Sequence, residues 1–155
     1  MAPRTWILTG SPENLAATRA HGFSLIGLKE GRLGMARQIA VGDRIVFYVT
    51  GLKAFGGAVR VTGELFEDRT KVWPGKPGKA EGGRDLYPWR FATAPEVVLD
   101  ESDWVPAEEL APALDHTAKW PSEHWTLAFQ GQIRAVSEHD AAMLMERMGA
   151  VVGAA

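Results

Sequence analysis

Residues 41–61 read VGDRIVFYVTGLKAFGGAVRV, and this stretch predicts the centre of the fold. Residues 44–49 are rich in β-branched and aromatic side chains, which favour a β-strand. After a turn at residues 51–54, a second strand is expected from residue 55 to residue 66. The pair Gly56-Gly57 near its start indicates a β-bulge or a close approach by another part of the molecule.

The sequence on both sides of this stretch predicts further strands flanked by helices. Residues 5–8 form a first strand, and Ser11 then caps a helix that starts with Pro12 and is closed by Gly22. A final helix follows a second capping residue, Ser137. The remaining predicted elements are strands at residues 87–91 and 96–99 and a helical turn at residues 108–114. We therefore expect one α+β domain over residues 1–155, built on a small mixed or barrel-like sheet.

The composition excludes several classes of protein. The chain has 155 residues, no cysteine and a net charge of −2, so disulfide scaffolds, thiol nucleophiles and cysteine-ligated metal sites are excluded. No apolar run reaches the roughly 18 residues that a membrane span needs, and the N-terminus does not resemble a signal peptide. A cytoplasmic protein with no membrane contact is the expectation.

The charge is unevenly distributed along the chain. Residues 69–84 contain five basic side chains and one acidic one, whereas residues 100–155 contain ten acidic and three basic ones. The basic segment is rich in proline and glycine and also holds Trp73, which is typical of an irregular loop. A loop of this length is uncommon unless it is functional or disordered. The alternative is a solubilising loop whose Trp73 packs back on the body of the protein.

Motifs of known enzyme classes are missing from the sequence. It contains no phosphate-binding GxxxxGK[ST], no dinucleotide-binding GxGxxG and no nucleophile elbow GxSxG. His116 and His124 are not accompanied by carboxylates at metal-ligand spacing. We therefore expect no catalytic residue, no metal and no cofactor.

Three segments, taken in order, resemble the EVE domain, a member of the PUA-like group that also includes the YTH domain. They are residues 6–14 (WILTGSPEN), the stretch at residues 41–61, and residues 67–91 with Trp73-Pro74 and Tyr87-Pro88-Trp89-Arg90. The resemblance covers most of residues 5–99 and continues more weakly through residues 129–131 and the last helix. It implies a PUA-like small mixed β-barrel flanked by helices, with an aromatic pocket for one nucleobase extruded from its strand.

The resemblance also implies which residues contact the base. Thr9, Ser11 and Asn14 match the polar positions that hold the base edge, although Ser11 would also fit a purely capping role. Trp73 matches the loop tryptophan that closes an aromatic cage. Phe23, followed by Ser24, stands where YTH-like domains carry a first tryptophan wall.

The other aromatic residues remain open to two interpretations. Trp89 either lines the pocket or packs in the core, the latter being favoured. Of Phe47 and Tyr48, whose side chains alternate across the strand, one is expected in the core, and the other could approach the cleft. The remaining late tryptophans are expected to pack: Trp104, Trp120 and Trp125.

Basic side chains in and next to the loop are the candidate phosphate contacts: Arg69, Lys71, Lys76, Lys79, Arg84 and Arg90. The partner implied is DNA or RNA that carries a modified base, with methylated or otherwise modified cytosine in DNA as the leading candidate. An effector protein would be a separate chain, and the oligomeric state stays open.

Two other functions remain possible from the sequence. An enzyme on the same fold would need an acid or a base at the pocket, and Lys53, Glu67 and Asp68 are the nearby candidates. A domain that binds small flat ligands or proteins could use the same pocket.

Overall fold

A curled mixed sheet forms the centre of the computed structural model, which describes residues 3–74 and 85–153. The strands are β1 (Thr5–Gly10), β2 (Leu25–Leu28), β3 (Arg44–Val49), β4 (Ala54–Val61), β5 (Phe66–Glu67), β6 (Trp89–Val98), β7 (Val105–Pro106) and β8 (Ile133–Val136). The α-helices are α1 (Pro12–Ala20), α2 (Leu33–Ala36), α3 (Ala107–Leu110) and α4 (Glu138–Gly153). Short 3₁₀ helices cover Glu30–Arg32, Glu101–Asp103, Ala111–Ala113, Asp115–Thr117 and Ser122–Phe129.

The main strands follow the order β2-β6-β4-β3-β1-β8, with β5 paired to β6 and β7 paired to β4. Strands β1 and β3 are parallel, and the other pairs are antiparallel. The predicted pairing of residues 44–49 with the next strand is confirmed as the β3–β4 ladder. This sheet with its flanking helices confirms the expected α+β class.

Two predicted strand boundaries were wrong. The second strand ends at Val61 and not at residue 66, because β3 begins at Arg44, opposite Arg60, and supplies no partner beyond it. The two segments predicted at residues 87–91 and 96–99 form one strand, β6, which pairs with both β2 and β4. The sequence analysis also missed β2 and β8, which are only four residues long.

Both features indicated by the pair Gly56-Gly57, a β-bulge and a close approach by another part of the molecule, are present in β4. The ladder shifts register between Phe47 and Tyr48, which leaves Gly56 as the extra residue of a bulge. Gly57 has φ +142°, and a Cβ on it would lie 2.5 Å from the carbonyl oxygen of Val97. A Cβ on Gly56 would lie 2.8 Å from a terminal methyl group of Leu15, so a larger residue there would require this side chain to shift.

The side chain of Gln132 joins the two edges of the sheet. Its Oε1 accepts a hydrogen bond from the backbone N–H of Lys29 at 2.7 Å, and its Nε2 donates to the carbonyl of Gly27 at 3.4 Å. Since Gln132 directly precedes β8 and Gly27 lies in β2, these bonds bring the two edge strands together. The result is a barrel-like sheet with a short side-chain seam instead of a continuous ladder.

Alternating side chains of the strands fill two hydrophobic clusters. The inner cluster contains Trp6, Phe47 and Phe91, while the outer one contains Ile7, Tyr48 and Leu144 of α4. Both Phe47 and Tyr48 are therefore buried. The packing expected of Trp104 and Trp125 is confirmed, but that of Trp120 was wrong, because 40% of its surface is exposed.

Both long helices begin as the sequence predicts. The Ser11 hydroxyl accepts a hydrogen bond from the N–H of Asn14 at 3.1 Å, and the Ser137 hydroxyl accepts one from Asp140 at 3.2 Å. The Asp140 carboxylate accepts hydrogen bonds from the N–H groups of Asp115 and His116, which ties α4 to the preceding segment. Over residues 3–74 and 85–153, no helix combines the length and the apolar character that crossing a bilayer requires.

Candidate functional site

A cleft opens where the end of β1, the start of α1 and strand β2 meet the segments that carry Trp73 and Tyr87. Its volume is about 420 Å³, including the space at its open mouth. The apolar part of the lining comes from five side chains: Leu8, Leu15, Ile26, Phe47 and Val49. We call this cleft the Trp73 cavity.

Trp73 is fixed in the wall of the cavity by contacts on several sides. Its indole Nε1–H donates to the hydroxyl of Thr18 at 2.9 Å, and its ring packs edge-to-face on Tyr87 with centroids 5.9 Å apart. A Cβ on Gly27 would lie 2.6 Å from the Trp73 ring, so only glycine allows this approach. The Arg90 guanidinium lies 5.1 Å from the centroid of the Trp73 ring. Trp73 is thereby both packed on the body of the protein and part of the cavity wall.

One buried carboxylate holds the two aromatic residues of this wall. Asp85 Oδ2 accepts hydrogen bonds from the N–H groups of Val72 and Trp73, both at 2.8 Å. Its Oδ1 accepts one from the N–H of Tyr87 at 2.7 Å. Arg90 Nη2 lies 3.6 Å from Asp85 Oδ2, so the buried negative charge has a positive partner.

Polar groups at the cavity belong to neutral side chains. Thr9 donates its hydroxyl hydrogen to the carbonyl of Gly131 at 2.9 Å, and Asn14 Nδ2 donates to the Tyr87 hydroxyl at 2.9 Å. Burial raises the pKa of Tyr48, which keeps this phenol protonated at neutral pH. Among the described residues that line the cavity, none carries a charge at neutral pH. The lining therefore combines apolar surface with neutral hydrogen-bonding groups, which suits an uncharged ligand.

Three of the residues predicted to contact a base come together in this lining: Thr9, Asn14 and Trp73. Ser11 lies next to them as the cap of α1 but does not line the cavity. Tyr87, Thr18, Gly27 and Gln132 also contribute to the lining, and the sequence analysis did not single them out. Tyr87 could have been proposed from the sequence as a lining residue, because it is the aromatic residue that begins the quoted Tyr-Pro-Trp-Arg motif.

The other predicted contacts lie elsewhere. Phe23 is buried behind the cavity, with its ring centroid 6.0 Å from that of Phe47. Ser24 is exposed and donates its hydroxyl hydrogen to the carbonyl of His21. Trp89 packs half-buried against the inner cluster and donates its Nε1–H to the carbonyl of Glu30 at 2.8 Å.

The candidate phosphate contacts differ in their surroundings. Arg90 is almost fully buried, and its guanidinium donates to the carbonyls of Tyr87 and Thr70. Arg69 forms ion pairs with Glu30 and Glu67 at 2.7 and 2.9 Å. Lys71 is exposed. The predictions for Lys76, Lys79 and Arg84 lie outside the described residues.

Titratable groups considered for catalysis or metal binding do not line the Trp73 cavity. Lys53, Glu67 and Asp68 are all outside its lining. Possible ligand atoms of Asp115, His139 and Asp140 lie within 4.8 Å of one another. In this group the Asp140 carboxylate accepts two backbone hydrogen bonds and Asp115 accepts one from Ser137, so both acids already have a structural role.

Comparisons with known proteins agree with this architecture. The model of the EVE domain family matches residues 4–147. No curated protein sequence matches the chain. A solved structure of human THYN1 protein in complex with 5-methylcytosine containing DNA is similar with a TM-score of 0.60 and 13% identity, covering 94% of this chain and 97% of that one.

Two solved structures of the Mmi1 YTH domain are also similar. One has a TM-score of 0.61 and 12% identity, and the match covers 97% of this chain and 90% of that one. The other, a complex with RNA, has a TM-score of 0.55 and 13% identity, with coverages of 97% and 80%. These likenesses confirm the PUA-like fold that the sequence predicted.

Proposed function

The chain belongs to the EVE domain family, and we propose that it is a binding module that accepts one modified nucleobase of DNA or RNA in the Trp73 cavity. The similar THYN1 structure holds DNA with 5-methylcytosine, and one similar YTH domain structure holds RNA. Both support nucleic acid as the class of partner. Modified cytosine in DNA is the leading ligand, and a modified RNA base is the second.

The observation that carries the proposal is an uncharged cavity with an aromatic wall and polar groups of neutral side chains. A base that leaves its strand loses its stacking partners, and an aromatic side chain replaces them. Stacking of a base on an aromatic ring contributes roughly 1–3 kcal/mol. Thr9 and Asn14 line the cavity, and in this proposal they contact the hydrogen-bonding edge of the base.

A single methyl group gives only limited discrimination. It adds apolar contact of about 1–3 kcal/mol, so a modified base is preferred by roughly 10- to 200-fold at most. The preference comes from the apolar lining, which includes Leu8, Ile26 and Phe47.

Basic side chains outside the cavity hold the nucleic-acid backbone in this proposal. Lys71 is exposed two residues before Trp73 in the sequence, and Lys76, Lys79 and Arg84 follow in the same basic segment. Arg90 binds the carbonyls of Tyr87 and Thr70 and lies over the Trp73 ring, so we assign it to the support of the cavity wall, whereas Arg69 is paired with Glu30 and Glu67. Phosphate contacts of this kind orient a strand without reading its sequence.

Substitution of the aromatic wall tests the proposal. Fluorescently labelled single strands with cytosine or 5-methylcytosine are titrated with the parent, with Trp73→Ala and with Asn14→Ala. Trp73→Ala should weaken binding of the modified strand by about 5- to 150-fold, which corresponds to the loss of one base stack. Asn14→Ala removes a polar group while leaving both aromatic rings, and it should reduce the ratio of the two affinities.

Trp125→Ala is the matched control, because this half-buried tryptophan lies outside the cavity and packs on Phe129. Circular dichroism establishes that each variant is folded. If Trp73→Ala and Asn14→Ala bind the modified strand as tightly as the parent does, the proposed function is wrong.

A further inference from the structure

Trp120 is an exposed aromatic side chain without a role in the Trp73 cavity. It borders two neighbouring grooves, one of about 930 Å³ and one of about 690 Å³, both measured with their open space. The larger one, which we call the Trp120 groove, is also lined by Lys119, Arg134 and His116. An exposed indole beside cations is the kind of surface on which bases of a single strand stack.

The two cations of this groove are exposed, and Arg134 donates its Nε–H to the carbonyl of Gln130 at 2.9 Å. Within the described part of the chain, neither Lys119 nor Arg134 forms an ion pair with a carboxylate. Burial lowers the pKa of His116, so this side chain is neutral at neutral pH.

The acids of the same groove are already engaged. Asp140 is fully buried and accepts the N–H groups of Asp115 and His116, while Asp115 accepts the Ser137 hydroxyl at 2.7 Å. Asp115 is exposed, so this groove presents one carboxylate beside the two cations Lys119 and Arg134, within a stretch, residues 100–155, that is acidic overall.

One short segment, residues 131–134, separates the Trp73 cavity from the Trp120 groove. Thr9, in the cavity lining, donates its hydroxyl hydrogen to the carbonyl of Gly131. The Arg134 guanidinium lies over the same glycine, with Nη2 3.4 Å from the position of a Cβ there. Gln132 lines the cavity, and Arg134 lines the groove. Arg134 therefore lies beside the glycine whose carbonyl Thr9 binds.

We infer that the nucleotides next to the captured base follow residues 131–134, with a phosphate on Arg134 and a neighbouring base stacked on Trp120. The inference rests on the proposed function, because it takes its strand from the Trp73 cavity. Stacking on an indole is tolerant of sequence, so the groove would add affinity without selecting the modification.

Strand length separates the two sites in an experiment. Labelled single strands of about three and about ten nucleotides, each with one 5-methylcytosine or cytosine, are titrated with the parent and with Trp120→Ala. We expect Trp120→Ala to weaken binding of both longer strands by about 5- to 150-fold and to leave the shorter ones unchanged. Trp120→Phe should restore most of the affinity. Arg134→Gln should lower the slope of log K against log salt by about 0.7, the value for one phosphate contact on a single strand.

Phe66→Ala is the matched control, because Phe66 is an equally exposed aromatic residue outside both grooves, with 40% of its surface accessible. The inference is overturned if Trp120→Ala binds the longer strands as tightly as the parent does. It is also overturned if the variant loses the same affinity for short and long strands. The proposed function is measured separately, by the ratio of affinities for 5-methylcytosine and cytosine. A protein ligand for the groove would leave every titration of Trp120→Ala unchanged and would likewise overturn it.

Discussion

Replacing Asp85 by asparagine tests whether one buried carboxylate holds the aromatic wall of the cavity. Its oxygens accept three backbone N–H groups, two from Val72 and Trp73 and one from Tyr87. Asparagine has the same shape but offers only one acceptor oxygen, so its NH₂ group must face at least one of these donors. The substitution also removes the fully buried carboxylate that lies 3.6 Å from the Arg90 guanidinium.

The size of the effect follows from these contacts. Hydrogen bonds to charged groups contribute about 1.5–3 kcal/mol each, and breaking a buried ion pair from one side costs about 3–5 kcal/mol. Because the three bonds and the ion pair share one carboxylate, their energies do not add. We expect Asp85→Asn to lower the free energy of unfolding by about 3–5 kcal/mol. This is a large part of the roughly 5–15 kcal/mol that stabilises a typical domain.

Urea unfolding followed by tryptophan fluorescence measures this change. Asp68→Asn is the matched control, since Asp68 also lies 3.5 Å from Arg90, but its side chain is 42% exposed. It should leave the urea midpoint almost unchanged, because solvent screens an exposed pair. At a urea concentration where both variants are folded, only Asp85→Asn should also weaken binding of the modified strand. A loss of stability below about 1 kcal/mol for Asp85→Asn, or equal losses for the two variants, would refute the proposed role of Asp85.

Two further substitutions test the contacts around the cavity and the sheet. Gly27→Ala places a methyl group 2.6 Å from the Trp73 ring. Urea unfolding should therefore show a loss of about 1–3 kcal/mol in stability, and strand binding should weaken. An unchanged stability and affinity would contradict the close packing. The hydrogen bond from Arg44, together with that from Arg60, lowers the pKa of Glu96. The ionised Glu96 carboxylate therefore stabilises the fold above the ordinary glutamate pKa of about 4.3. This contribution is lost as the pH falls through the lower pKa that Glu96 has in the folded protein. Glu96→Gln should accordingly lower the melting temperature at neutral pH, and the difference from the parent should shrink in acid; a difference independent of pH would contradict this.

Local signals in the sequence predicted the elements that depend on neighbouring residues. Ser11 and Pro12 mark the start of α1, and the glycine pair marks the bulge in β4, because caps and bulges are decided within a few residues. Strand β2 carried no such signal. Its four residues are held by β6 and by Gln132, whose position in the sequence is more than 100 residues away.

The cavity was only partly predictable for the same reason. Thr9, Asn14 and Trp73 followed from the family resemblance, but the contact between Trp73 and Thr18 joins residues 55 positions apart. Charge counting could not distinguish Arg90 from the exposed cations, because a sequence does not show which cations are buried. In the structure, this guanidinium is enclosed by the chain segments whose carbonyls it binds.

The separation of charge from the cavity determines how affinity and selectivity are divided. The Trp73 cavity has a neutral lining, so under the proposed function the choice between two bases that differ by one methyl group would depend on packing and hydrogen bonds, which salt hardly changes. The proposed phosphate contacts, Lys71 and Arg134 among the described residues, are not part of this lining, and such contacts would weaken steeply as salt rises. A net charge of −2 is compatible with this arrangement, because one captured base and a few phosphates need a local positive surface and not a basic protein. The proposed function therefore assigns binding strength and base selectivity to different residues of the same chain.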